Sequence, residues 1–417
     1  MKRIELQKNY FVFLSFVSLV FWCYLIRIAS NLRPIADEIC VLSEWAPQDR
    51  FPPFHLSPRF FATIFTWTNS TIWVHNYFIG IVINFVLIAF LVAALFKNFF
   101  GLIDEALKFK QSIYLGFFFT PLLIVLIPPN VSGIYDTFLW FGGNWHVVGS
   151  LLLLNISCAI MNKDTKYWKL TCFIFLISYW SETAAICVLA PLIVRLIHLD
   201  SKLKTVLLFA IPSSSIGVSL IFAIKSERIL AVQKESAFDL NSILGITQMS
   251  VPLFFRGLIV CFFIVNTWRL INRREERIEY RRNILLLLCL AISCLLLIVT
   301  QYATYGTWRS SILYGICAVL VVLVISKTKL FNNSLTRMLS PVAFFILICF
   351  SFQTLVTLNT YVSDREEWWR VNVVEQKSVR IDNNSKKEYQ AFLPADYGGG
   401  DWIDNCFNSY MKTEGQK

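Results

Sequence analysis

Long apolar stretches separated by short charged ones run along most of the chain. Residues 10–28, 72–96, 111–128, 137–161, 205–224, 251–268, 284–300, 310–326 and 338–358 each read as a helix able to cross a bilayer, since a hydrocarbon core of ~30 Å needs about 20 apolar residues. The pattern therefore predicts about nine transmembrane helices. Between the fourth and fifth, residues 170–197 behave differently: two shorter apolar runs flank Ser181, Glu182 and Thr183. Runs of about 10–14 residues are more often re-entrant or core segments than crossings. This stretch predicts a re-entrant hairpin that enters and leaves on one side, or two short crossings.

The distribution of charge orients these elements. With the N-terminus inside, the inner loops are 1–9, 97–110, 162–169, 195–204, 269–282 and 327–337, and they hold a clear excess of Lys and Arg over acids. The rest of the chain is slightly acidic, as the positive-inside rule requires. The six arginines of WRLINRREERIEYRRN decide the parity, because a single crossing at 170–197 places them outside. The fold expected is an all-α polytopic membrane body over 1–359. It has outer loops at 29–70 and 225–250 and an outer C-terminal tail over 360–417. That tail carries Trp, Tyr and Gly among its polar residues, which favours a small packed unit over a disordered end. The first apolar run has no small-residue cleavage site after it and is expected to stay as a helix.

Composition agrees with this reading and removes other classes. Of 417 residues 56% are hydrophobic and only 16% charged, and the mean hydropathy is +0.59, far from a soluble domain. The net charge of +11 reflects topology and not a nucleic-acid surface. No Gly-rich phosphate loop is present, so no directly bound nucleotide is expected. With four His and no CxxC or HExxH spacing, a zinc site is not expected. Of the 11 cysteines, only Cys40 and Cys406 fall in outer regions, where an oxidising compartment makes them candidates for a disulfide.

Candidate chemistry gathers at the outer boundary. ADEICVLSEW (36–45) places Asp37 and Glu38 shortly after the first helix leaves the lipid. There, a carboxylate is suited to take the proton from a hydroxyl that attacks a donor held in the membrane. Arg33 and Arg59, in the same outer loop, are cations able to meet a lipid-linked phosphate. The acids of a solvated loop obeying the topology rule have the same pattern. Glu182 is the one ionisable residue in a long apolar stretch, an expensive placement that marks a functional candidate; the other reading is a hairpin-tip cap bonded to Ser181 or to helix amides. IPPNVSGIYDTFLWFGGNWHVVG (127–149) sets Tyr135 and Asp136 among aromatics that suit an interfacial belt, with Asp136 as a ligand-binding candidate. QYATYGTWRS (301–310) presents Trp308 beside Arg309, which suits a sugar phosphate or an interface anchor.

Five motifs taken together resemble a known family. They are the acidic pair after the first helix, SPRFF (57–61), YDTFLWFGGNWHVVGSLLLL, SYWSETAA at the hairpin, and FLPADYGGGDWIDNCFNSY in the tail. The whole chain resembles the phage-encoded, serotype-converting O-antigen glucosyltransferases of enteric bacteria, most like their type V or type X members. The resemblance implies a C-type glycosyltransferase-like fold in the bacterial inner membrane, with a cytoplasmic N-terminus and a periplasmic C-terminus. It implies an inverting hexosyltransferase that moves glucose from undecaprenyl phosphate glucose to a sugar of the lipid-linked O-antigen repeat. Asp37 or Glu38 then corresponds to the base and Glu182 to the acidic position of the re-entrant segment. Arg33, Arg59 and Arg309 are expected at the donor phosphate. Glu44, Tyr135, Asp136, Trp308, Asp401 and Trp402 are expected at the substrates, the last two through a tail that recognises the acceptor. The resemblance leaves a divalent metal open, with acids at 37, 38 and 44 as its only basis. A transporter or flippase of a lipid-linked sugar is the alternative, which the hairpin keeps in view although no internal repeat is found. An acyltransferase ranks below both, since His55, His75, His146 and His198 are scattered.

Overall fold

The computed structural model describes residues 2–32, 59–102, 108–126, 134, 138–139, 141–162, 164–198, 202–225 and 334–370. Among these the regular structure is helical: α1 (Lys2–Asn31), α2 (Phe60–His75), α3 (Tyr77–Leu102), α4 (Phe109–Leu126), α5 (Phe141–Met161), α6 (Tyr167–Ser178), α7 (Glu182–His198), α8 (Lys202–Leu208), α9 (Ala210–Lys225) and α10 (Ser334–Trp369). Four stretches are long and apolar enough to cross a membrane: Tyr77–Asn98, Phe109–Leu126, Asn144–Met161 and Lys202–Ile221. The spans expected at 251–268, 284–300 and 310–326 lie outside the described residues, as do the loop at 226–250 and the tail beyond residue 370.

Three of the differences from the sequence pattern have a local reason. The apolar run expected to begin at residue 72 is cut at Asn76, whose Oδ1 accepts the Ile79 N–H at 3.0 Å and caps the start of α3; such side-chain capping is what Asn does best at a helix start. Ahead of the cut, α2 occupies residues assigned to a loop. Its polar residues find partners inside the helix, Thr68 Oγ1 donating to Ile64 O at 2.9 Å. At the other end of the chain, α10 runs past Thr360 to Trp369, because YVSDREEWW contains no Gly or Pro to stop it.

The helices are apolar outside and keep their polar side chains within a largely apolar interior, the reverse of a bundle in water. On α3, Ile79, Ile83, Val86 and Phe90 form an exposed stripe, while Asn84, Phe85, Ile88 and Val92 are buried. That inversion suits a surrounding solvent that offers no hydrogen bonds. Polar side chains join the helices instead. Asn98 Nδ2 donates to Asn155 Oδ1 at 3.0 Å and Asn155 Nδ2 to Leu91 O at 3.1 Å, tying α3 to α5. Asn69 Oδ1 accepts from Trp73 Nε1 and from Asn84 Nδ2, tying α2 to α3. Pro121 sits inside α4 and cannot donate to the carbonyl of Phe117 four residues back. Trp22 Nε1 of α1 takes that carbonyl at 2.8 Å, and Ser18 Oγ takes the next one, Phe118 O, at 2.9 Å. A Cβ on Gly116 would lie 2.5 Å from Ala89 O, so its absence lets α3 and α4 come together.

The segment that positions the candidate site is a helical hairpin. α6 and α7 pack on each other and on α5, with the turn at Tyr179–Ser181 between them. Arg195, near the end of α7, is buried. It donates from Nη1 to Ile160 O and to Asn162 O, the latter at 3.1 Å. A cation at the C-terminus of α5 meets the carbonyl end of that helix's dipole. The first residue of α6, Tyr167, lies under the same guanidinium, 5.1 Å from its ring centre. Both open ends of the hairpin therefore meet at the C-terminus of α5, and the turn lies at the other end.

Candidate functional site

At the hairpin turn the chain brings together two charged residues 123 positions apart. Arg59 Nε donates to Glu182 Oε2 at 2.9 Å and to Oε1 at 3.1 Å. Arg59 immediately precedes α2, and its carbonyl accepts from Thr63 N–H at 2.8 Å and Thr63 Oγ1 at 2.9 Å. The next turn of backbone is fixed to the hairpin itself, because Phe61 N–H donates to Tyr179 O at 3.1 Å. Arg59 thus has little freedom to leave the turn without unpinning the start of α2.

Glu182 is the first residue of α7, where a negative charge is favoured by the helix dipole. The cap itself is made by its neighbour: Ser181 Oγ accepts the Ala184 N–H at 3.1 Å. Ser181 therefore takes the capping role that the sequence left open for Glu182, and the carboxylate is committed to Arg59. The two side chains keep 33% and 29% of their surface exposed, so the pair is half-buried.

Two tryptophans complete the arrangement. The Arg59 guanidinium carbon lies 5.5 Å from the centre of the Trp145 ring, a cation–π contact that holds the charge over an aromatic face. Trp180, in the turn, donates from Nε1 to Trp145 O at 2.9 Å. Its indole occupies the space above Gly149, where a Cβ would fall 2.3 Å from Nε1, and its ring contacts Phe65 of α2 at 5.4 Å. Beside them Asn144 is fully buried, and among the described residues neither atom of its side-chain amide has a hydrogen-bond partner.

Chemically, the turn sets a carboxylate, a guanidinium and an aromatic ring side by side. Arg59 can meet a phosphate, Glu182 can accept a hydroxyl proton or hydrogen bond, and Trp145 can stack on a sugar face. Arg59 and Glu182 are the two expected site residues that the described structure brings together. Arg33, Asp37, Glu38, Glu44, Tyr135, Asp136, Trp308, Arg309, Asp401 and Trp402 lie outside the described residues, as do Cys40 and Cys406. Among the described residues no group of three or more His, Cys, Asp or Glu is placed to hold a metal ion. Sequence reasoning assigned Trp145 to the interfacial belt and gave Trp180 no role. The signal it passed over is the glycine four residues after Trp145, where one turn of helix carries an aromatic and then a gap for another.

The described residues are helical, with four stretches long and apolar enough to span a bilayer, apolar outside and joined by hydrogen bonds within, which is the make-up of a multi-pass membrane protein. Comparisons with protein-family models, with characterised proteins and with solved structures found no match.

Proposed function

We propose that this protein is a membrane glucosyltransferase that moves glucose from undecaprenyl phosphate glucose to a sugar hydroxyl of the lipid-linked O-antigen repeat, at the periplasmic face of the bacterial inner membrane. The observation that carries the reading is the Arg59–Glu182 pair, set over Trp145 at the hairpin turn. It joins the cation expected at the donor phosphate to the acid expected in the re-entrant segment. In this reading Arg59 takes the donor phosphate, and Glu182 neutralises Arg59 until that phosphate arrives. Asp37 or Glu38 removes the proton from the acceptor hydroxyl. The acceptor oxygen bonds to the anomeric carbon from the face opposite the phosphate, the bond from that carbon to the phosphate oxygen breaks, and undecaprenyl phosphate leaves with the electron pair. One displacement inverts the anomeric centre, and no glycosyl-enzyme intermediate forms.

The test is expression in a strain that makes an unmodified O-antigen and supplies undecaprenyl phosphate glucose, followed by mass measurement of the polysaccharide repeat. A gain of one hexose, lost in the Asp37→Ala/Glu38→Ala double variant and in Arg59→Ala, is the expected result. No gain with stably inserted protein overturns the transferase. The α6–α7 break beside a charged pair also fits a lipid-linked sugar transporter, whose sites use interrupted helices; donor movement across vesicles without hexose transfer would favour it.

A further inference from the structure

The end of the bundle opposite the Arg59–Glu182 pair carries a second gathering of charge that the proposed reaction does not use. Along α7 it lies about thirteen residues from Glu182, roughly 20 Å at the helical rise. Arg195 is only 3% exposed there, its bonds go to the backbone carbonyls of Ile160 and Asn162, and no ion pair joins it to a carboxylate among the described residues. Its Nε is buried and has no hydrogen-bond partner among the described residues. A second cation approaches the same aromatic ring, Lys204 Nζ lying 5.5 Å from the centre of Tyr167 and the Arg195 guanidinium 5.1 Å. These charges come from α7 and α8, and Tyr167 from α6, so three elements converge on one ring.

Like charges drawn together at the edge of an apolar body repel unless an anion lies near them. Lys166, next to Tyr167 in the chain, is exposed, as are Lys202 and Lys204 at the start of α8, and Asp164 is the one described acid beside Lys166 in the chain. Bulky apolar side chains stand between the lysines: Trp168, Leu203 and Leu207 are all exposed. Water alone would not favour such a surface. A ligand with a negatively charged head and acyl chains satisfies both parts of it, the head against the lysines and the chains against Trp168 and the leucines.

We propose that Lys166, Lys202 and Lys204, at the starts of α6 and α8 where Lys204 and Arg195 share the Tyr167 ring, form a binding site for an anionic phospholipid of the adjoining leaflet. The lipid phosphate closes the open mouth of the hairpin and joins α6, α7 and α8. The site is independent of the glucosyltransferase reading. A protein that transported its lipid, or one that only bound it, would have the same site.

The test uses the full chain in mild detergent, with native mass spectrometry reading retention of phosphatidylglycerol, phosphatidylcholine as the neutral control and inorganic phosphate as competitor. Phosphatidylglycerol is expected to be retained in preference to phosphatidylcholine. Each lysine near an anionic headgroup is worth about a fivefold change in affinity, so Lys204→Gln weakens retention about fivefold and Lys166→Gln/Lys204→Gln roughly 25-fold. Lys204→Arg, which keeps the charge, retains the lipid. Equal retention of phosphatidylglycerol by the wild type and the double variant overturns the proposal and leaves the lysines with an orienting role only. Full displacement by inorganic phosphate also overturns it, because the site then takes free anions.

Discussion

Removing either partner of the Arg59–Glu182 pair separates what the pair holds together from what it does to a substrate. At an effective dielectric of ~20, two unit charges about 4 Å apart attract by roughly 4 kcal/mol. Each side chain keeps about a third of its surface exposed, so water screens part of that attraction. Desolvation offsets more of it, and the net coupling falls at about 1–2 kcal/mol, between the ~1 of exposed pairs and the ~3–5 lost when a buried pair is broken. The assay is a double-mutant cycle of Arg59→Gln and Glu182→Gln, read by denaturant unfolding of the purified chain in detergent and by hexose gain in cells. A coupling below ~0.5 kcal/mol would show that the contact adds nothing to the fold. The exchanged pair, Arg59→Glu with Glu182→Arg, carries the decision. It is expected to recover most of the coupling and none of the transfer, since the cation then sits on the hairpin and a carboxylate faces the donor phosphate. Recovery of transfer by the exchanged pair would refute the reasoning and reduce the two residues to a latch.

The remaining predictions test the supports of the site. Gly149→Ala places a methyl group where the Trp180 indole lies and is expected to cost about 1–3 kcal/mol, visible as a lower unfolding midpoint and loss of hexose transfer. Trp22→Phe removes the donor to the Phe117 carbonyl that Pro121 leaves without an N–H. It is expected to cost about 1–2 kcal/mol while leaving the hairpin and transfer intact. Asn144→Leu breaks no hydrogen bond among the described residues and is expected to hold or raise the midpoint, so a fall in transfer at unchanged stability would assign the amide to a substrate.

Much of the architecture was legible because a bilayer imposes long apolar runs, and α3, α4 and α5 fall within a few residues of where those runs placed them. What hydropathy averaging could not see were single residues. Asn76 ends one helix and starts another inside an apolar run, and most of α2 falls in the expected loop because Thr68, Asn69 and Ser70 lower its hydropathy, although Thr68 Oγ1 bonds within the helix and Asn69 Oδ1 accepts from Trp73 and from Asn84 of α3. Glu182 was legible as an unusual charge, and Arg59 as a loop cation. Their meeting was not, since nothing local in SPRFF or SYWSETAA encodes a contact across 123 residues. It depends on α2 and the hairpin both docking on α5.

Helix α7 is held at both of its ends, by Arg195 on the carbonyls of α5 and by Glu182 on Arg59. The residues between them thereby act as a ruler. One residue removed from that interval shortens it by about 1.5 Å and turns one end against the other by about 100°, so whichever anchor stays in place, the other faces the wrong way. Substitutions along the lipid side of α7 leave the ruler unchanged, whereas a single-codon deletion anywhere in it changes the reading at both ends.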